Sequence, residues 1–189
     1  MEKITMREEY AIILDFLPHG YPMDRRPMHL KTAIAQAIGK KTLVLLELVP
    51  KKDCFLQPHE DVYIGEGKRD KVHHIVGRIT PTKLTETART ELNYIIEEIV
   101  NKEEAKFVEF FNKAGPINTR IHQLELLPGI GKKHMLTILQ AREEKLFENF
   151  ADIKKRVSLL PDPEKAVIKR ILLELEGNEK HYLFVKAQQ

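Results

Sequence analysis

Residues 126–133 read Leu-Leu-Pro-Gly-Ile-Gly-Lys-Lys. Upstream, Ile121, Leu124 and Leu127 fall on one face of a helical pattern that stops at Pro128. Downstream, Met135, Ile138 and Leu139 begin a second apolar-periodic segment behind two lysines. Gly129 and Gly131 flank Ile130 and permit left-handed or crowded backbone. They also leave room for another backbone or a phosphate to come close. Ile130 is the side chain that can anchor such a turn between two helices. The amides at 131–133 open the second helix, where unbonded N–H groups and the helix dipole together favour an anion. Pro128, Gly129, Ile130, Gly131, Lys132 and Lys133 thus read as an anion-binding turn, with a ligand-free αα-turn as the alternative.

The stretch resembles the helix–hairpin–helix motif, whose Gly-apolar-Gly hairpin grips a nucleic-acid backbone without reading sequence. One departure is Met135, where that family usually has a small residue four positions after the second glycine. The chain then repeats at an offset of 33 residues. Residues 126–132 align with Leu159-Leu160-Pro161-Asp162-Pro163-Glu164-Lys165, and Ile138-Leu139 falls on Ile171-Leu172. A tandem helix–hairpin–helix domain over 117–177 is expected, each hairpin burying the other's apolar face. In the second copy Asp162 and Glu164 replace both glycines and Pro163 replaces the anchor. Proline suits a first helical turn, and acids there fill and repel the anion site. The first copy should bind and the second support it.

Charge agrees with that division. The net charge is +3, too small to identify a partner. Residues 1–111 hold 17 Lys/Arg and 18 Asp/Glu, residues 112–156 hold 9 and 5, and residues 157–189 hold 5 and 5. The excess lies on the first hairpin and the segment after it. No apolar run approaches the ~20 residues of a membrane span. Met1-Glu2-Lys3-Ile4-Thr5 carries no apolar signal, so the expected location is cytoplasmic. Cys54 is alone, which leaves no intramolecular disulfide and no cysteine metal cluster.

Outward from the hairpins the period changes. Residues 9–17, 41–49, 60–65 and 72–79 read as strands bounded by Pro or Gly, while 28–38 is ambiguous. From Leu84 the spacing is helical: Ala88, Leu92, Ile95, Ile96 and Ile99 mark one face, and Phe107, Val108, Phe110 and Phe111 a second helix. Gly115-Pro116 interrupts the pattern. Residues 181–185, His-Tyr-Leu-Phe-Val, read as a strand that needs a distant partner. The expected class is α+β. Residues 1–82 form a small barrel, 83–116 a helical connector, 117–177 the tandem hairpins, and 178–189 a strand returning to the barrel.

A barrel of about five short strands resembles the OB-fold, a frequent oligonucleotide binder. Taken whole, the chain is similar to an archaeal family of unknown function that joins an OB-like part to a helix–hairpin–helix part and is described as predicted RNA-binding. Residues 9–20, 62–65 and 121–133 carry that similarity. It implies nucleic acid, RNA or DNA, as partner; the residues themselves suggest no catalytic group, and no cofactor is expected.

Secondary contacts are expected from two loops, one holding Tyr21, Arg25 and Arg26 and one holding Lys68 and Arg69. Gly65-Glu66-Gly67-Lys68 lacks P-loop spacing. His73 and His74 are neighbours in a strand and should face opposite ways, so no metal is expected. Two alternatives stand. Lys133 and Asp152 sit where helix–hairpin–helix DNA glycosylases carry a catalytic Lys and Asp, although Ala141-Arg-Glu-Glu-Lys145 is highly charged where those enzymes are apolar. The hairpins could instead dock a protein, and salt dependence separates that case from phosphate binding.

Overall fold

The computed structural model describes residues 7–187. The chain is α+β, with an antiparallel five-stranded sheet curled into a half-barrel and five α-helices among the described residues. It forms two compact units. One holds the described residues up to Ile95 and from Leu175 onward; the other is Ile96–Glu174. The division falls inside one helix, so the stretch 83–116 is shared between the units.

In the first unit the strands are β1 (Tyr10–Leu17), β2 (Ile34–Gly39), β3 (Leu45–Pro50), β4 (Asp61–Tyr63) and β5 (Val72–Arg78), ordered β4-β1-β2-β3-β5. Every residue of β2 is buried, as are Ala11 through Leu14 of β1, so these central strands are covered on both faces. The ambiguous stretch 28–38 resolves into a single 3-10 turn, Met28–Leu30, and then β2. The strand read over 41–49 starts later, at Leu45, because residues 40–43 turn and Leu43 has φ 53°.

A bulge shifts the β1–β2 register between Ile13 and Asp15. The Asp15 carboxylate accepts the Thr85 hydroxyl at 2.6 Å. Thr85 Oγ1 in turn accepts the Ala88 amide at 3.0 Å, capping helix α1 (Glu86–Lys102). Gln36, fully buried in β2, accepts the Thr85 amide and donates to the Lys83 carbonyl, at 2.9 and 2.8 Å. Polar side chains of two central strands thereby fix where α1 begins.

The expected strand at 181–185 does not form; the segment is irregular. Val185 is buried, the Lys186 amide donates to the Thr42 carbonyl at 3.0 Å, and Arg78 donates to the Lys186 carbonyl at 2.6 Å. Thr42 lies in the turn between β2 and β3. A bond made to a turn cannot extend into a ladder.

The second unit contains the end of α1, then α2 (Glu104–Lys113), α3 (Lys132–Glu144), α4 (Phe150–Arg156) and most of α5 (Pro163–Leu175). Phe107, Val108 and Phe111 of α2 are buried with Phe147, Phe150 and Ile153. The expected helix before Pro128 is only a 3-10 turn, Gln123–Leu126. Asn118 Oδ1 takes the amides of Arg120 and Ile121, and Pro116 bridges His122, which leaves too few residues for an α-helix. His122 and Glu125 close the turn as a reciprocal capping box.

Arginines stitch this unit by covering carbonyls. Arg142 of α3 donates to Phe111 and Ala114 at the end of α2, at 3.0 and 2.8 Å. Arg156 of α4 donates to Ala141 and Lys145 at the end of α3, at 2.5 and 2.6 Å. Arg170 of α5, buried with its partner Glu174, donates to the Leu126 carbonyl at 3.2 Å. Removing one partner of a buried pair strands the other charge. Arg170→Ala is therefore expected to lower stability by about 3–5 kcal/mol, read from denaturant unfolding. A loss under about 1 kcal/mol would show that the pair behaves as a surface one.

Candidate functional site

The turn at 128–131 is set by its glycines in two different ways. Gly129 has φ +83°, and a Cβ there would stand 3.1 Å from Pro161 Cγ, so both conformation and space demand glycine. This contact seats the turn at 128–131 directly on the turn that holds Pro161. Ile130 is buried, its amide bonded to the Leu127 carbonyl at 3.1 Å, which anchors the turn as its sequence position suggests. Gly131 is extended, φ −99° and ψ −172°, and a Cβ there would meet nothing within 4 Å. It is the N-cap of α3 and offers no side-chain cap.

Helix α3 therefore opens without a side-chain acceptor. The Met135 amide makes the first intrahelical bond, to Gly131 O at 2.9 Å. The amides of Lys132, Lys133 and His134 precede that bond and have no acceptor among the described residues. Lys132 and Lys133 are exposed and make no ion pair among those residues. Helix α5 starts differently. Asp162 Oδ1 accepts the amides of Glu164 and Lys165 at 3.1 and 3.3 Å, and Oδ2 pairs with Lys154 at 2.6 Å. Burial resists ionisation of this carboxyl, but the Lys154 ammonium and the amides outweigh it and hold its pKa below the ordinary value. The α5 N-terminus already carries an anion, supplied by the chain itself.

The equivalence is not in the register of the sequence repeat. The helices start at Lys132 and Pro163, 31 residues apart, whereas the Leu-Leu-Pro match has an offset of 33. Asp162 thus stands where Gly131 stands. Glu164 lies one turn position inside the helix rather than at its cap.

Residues 112–156 hold nine cations. Lys113, Lys145, Lys154 and Arg156 are in ion pairs, and Arg142 covers carbonyls. Arg120, Lys132, Lys133 and Lys155 make no ion pair or side-chain hydrogen bond among the described residues. Glu143 and Glu144 make no ion pair among the described residues either, so these four cations stand out by position and not by net charge. Arg120 was not singled out by the sequence; it reads as one more loop cation until the acids near its neighbours are paired off.

The first unit's candidate contacts divide. Tyr21 donates to Glu47 at 2.6 Å, accepts from Gln36 at 3.1 Å, and has the Lys83 ammonium 5.0 Å from its ring centre. Its ring is part of a polar network rather than a bare stacking platform. Arg26 forks onto Asp24, whose carboxyl it pulls down to about 2. Arg69 donates to the Gly65 carbonyl at 2.8 Å. Arg25 and Lys68 are exposed and make no ion pair among the described residues. The Tyr63 ring lies over Gly65, where a Cβ would come within 2.4 Å of its hydroxyl, and that hydroxyl accepts the Gly67 amide. Those two glycines serve Tyr63.

Two sequence arguments need correction or context. His73 and His74 do not face opposite ways: their Nδ1 atoms are 2.8 Å apart. A register shift between Val49 and Pro50 bulges β5 at this point and re-aims the rings. No group of three His, Cys, Asp or Glu placed to hold a metal ion occurs among the described residues. Asp152 accepts the Glu148 amide and pairs with Arg156 at 3.2 Å. The amide bond first, and then Arg156 against a burial penalty, lower its pKa. Both contacts fall on Oδ2 and close the first turn of α4.

A model of a protein family described as of unknown function, DUF655, matches residues 7–186. The chain belongs to this family. It is 44% identical over 181 residues to uncharacterised protein MJ0038 of Methanocaldococcus jannaschii, covering 95% of this chain and 80% of that one. It is also similar to the crystal structure of Af1531 from Archaeoglobus fulgidus, at 44% identity and a TM-score of 0.86, covering 95% of this chain and all of that one. No helix among the described residues is long and apolar enough to cross a membrane.

Two measurements test the geometry. Gly129→Ala is expected to cost about 1–3 kcal/mol, from a left-handed β-carbon pressed on Pro161, whereas Gly131→Ala meets no atom and should cost only the roughly 0.5 kcal/mol of exchanging a glycine N-cap for alanine. Equal losses in chemical denaturation would contradict this division of labour. The Tyr21 phenol is pushed up to about 12 by burial and by its bond to the Glu47 carboxylate. The unfolded phenol ionises near 10, so in that window the native state holds a proton the unfolded state has lost. The contribution of this phenol is full below pH 10 and falls as pH rises towards 12. The thermal stability advantage of wild type over Tyr21→Phe should therefore shrink across that range; a constant difference would refute the assignment.

Proposed function

We propose that the second unit binds a nucleic-acid backbone, without reading sequence, through the N-terminus of α3, and that it does so as a helix–hairpin–helix module. Phosphate oxygens accept from the amides at 131–133, with Lys132 and Lys133 adding charge. Gly129 and Ile130 hold the turn, and Pro128 ends the segment before it. The observation that carries this reading is the contrast between two helix starts in one unit. The α5 start is filled by the Asp162 carboxylate, while the α3 start is uncapped and flanked by unpaired lysines. An oriented set of amides at a helix N-terminus suits phosphate. The first unit is read as an OB-like module whose remaining available cations, Arg25 and Lys68, give a secondary contact. No catalytic step is assigned, since Asp152 is committed to Arg156 and the Glu148 amide.

Gly131→Glu tests this directly, because the space around Gly131 is open and its φ is ordinary, so the variant should fold. It places a carboxylate where Asp162 sits in α5. Binding to a labelled oligonucleotide should fall at least about tenfold, the effect of roughly 1.4 kcal/mol, with unchanged circular dichroism. Retained affinity in a folded variant would refute the phosphate reading. One such turn neutralises about 2–4 phosphates, so log K against log salt should have a slope of roughly −2 to −4 on duplex. A salt-independent interaction would point instead to an apolar protein partner. Arg25→Ala with Lys68→Ala should make the slope shallower by about 1–2 units if the first unit takes part.

A further inference from the structure

Beside the start of α3 lies a cleft of about 360 Å³, walled on one side by the loop after α2 and on the other by α3 itself. Ile121, Met135 and Leu136 give it an apolar lining, and Arg120 and Lys132 also line it. Leu136 is 61% exposed. A single exposed leucine is ordinary; one that lines a concavity together with two unpaired cations is not. Asn118 also lines the cleft. Its Oδ1 is used by the amides of Arg120 and Ile121, at 2.8 and 3.0 Å, and its NH₂ makes no hydrogen bond among the described residues. Glu125 is the acid in the lining, and its carboxylate accepts the His122 amide at 2.9 Å. The loop wall is held in place by the Pro116–His122 bridge and by the Ile117 amide on the Ile121 carbonyl at 2.8 Å.

This combination has a definite chemistry. Apolar side chains accept the face of a planar ring, an amide NH₂ donates to a ring carbonyl, and two cations flank the position of a phosphate. The volume lies within the range of small-molecule sites, about 300–1,000 Å³. Lys132 belongs to both features: it lines the cleft and is the first residue of α3. A base inside a duplex is stacked on both faces and paired at its edge, so only an unpaired base can enter. We infer that the cleft takes one unpaired nucleotide whose adjoining phosphate rests on the α3 N-terminus, so that the ligand is single-stranded or frayed nucleic acid rather than intact duplex. This inference rests on the phosphate reading of α3 and narrows its substrate class.

The test uses the full chain, fluorescence anisotropy, and single-stranded oligouridine and oligothymidine of about twelve nucleotides against blunt duplexes of equal length. Leu136→Asp alters the cleft on an exposed helix face, and Arg120→Ala alters its loop edge; neither removes a core side chain. Wild type should bind at least one single strand about tenfold tighter than the matching duplex. Leu136→Asp should abolish the preference, making the variant's single-strand and duplex affinities equal, while its carboxylate, one turn from Lys132, weakens both alike; Arg120→Ala should lower single-strand affinity in the same sense. Gly131→Glu should weaken both. Equal wild-type affinities, or a preference that survives Leu136→Asp, would overturn the cleft while leaving the phosphate reading intact. Loss of the preference in Leu136→Asp with no effect of Gly131→Glu would support the cleft and sink the phosphate site. No binding of any probe by wild type overturns both.

Discussion

The second unit is organised around one close approach, the Gly129 backbone against the Pro161 ring. A β-carbon at 129 would meet that ring at 3.1 Å, and φ +83° is a conformation that L side chains resist. The approach is possible because residue 129 carries no side chain, while Leu127 and Ile130 on either side of it are buried. Arg170 adds a second tie from α5 to the Leu126 carbonyl just ahead of the turn. With the first turn pinned at Leu126, Gly129 and Ile130, the direction of α3 is fixed before its own side chains contribute. Everything proposed for the α3 N-terminus depends on that direction being held.

Polar groups in this chain are mostly spent on geometry. Gln36 and Asp15 fix the start of α1, Tyr21 and Glu47 hold Lys83, and three arginines cover carbonyls at the ends of neighbouring elements. This explains why net charge is a poor guide to function here and why the unpaired remainder is a better one. Of the nine cations in residues 112–156, most answer to a carboxylate or a carbonyl. Two of the four that do not, Arg120 and Lys132, border one cleft. Desolvated or paired cations have little left to offer a polyanion. Exposed, unpaired ones exchange counterions for phosphate at small cost.

Some of this was readable in the sequence and some was not, for physical reasons. Strands β1, β3, β4 and β5 announce themselves as apolar runs stopped by Pro or Gly. The β2 run, Ile-Ala-Gln-Ala-Ile-Gly, has small residues and a glutamine in its centre. It is a strand because both faces are covered and Gln36 finds partners at Lys83 and Thr85, just ahead of α1, which no local pattern reveals. The segment before Pro128 was over-read as a helix, since three apolar residues at spacings of three fit a 3-10 turn equally well. The opposed-face rule failed at His73 and His74 because a bulge is a property of two strands. At the candidate site, Gly129, Ile130 and Gly131 were legible as a unit. That Gly129 serves packing while Gly131 leaves an opening follows only from Pro161 being near one and absent from the other.

The two helix starts also act as an internal comparison. Both α3 and α5 run 13 residues, and both follow a Leu-Leu-Pro segment, so their dipoles are alike, although Pro163 removes the first amide of α5. In α5 the amides are met by Asp162, and the cost of burying that carboxyl is offset by Lys154 and by the amides themselves. The chain therefore displays what such a start accepts: a carboxylate with a lysine beside it. At α3 the corresponding residue is Gly131, which brings no acceptor, and the neighbouring lysines are exposed. A glycine start forgoes roughly a few tenths of a kcal/mol of helix stabilisation relative to a good side-chain N-cap. A sequence that supplies the cap 31 residues later and omits it here gives up that stabilisation at the one start whose surroundings could instead receive an anion from outside.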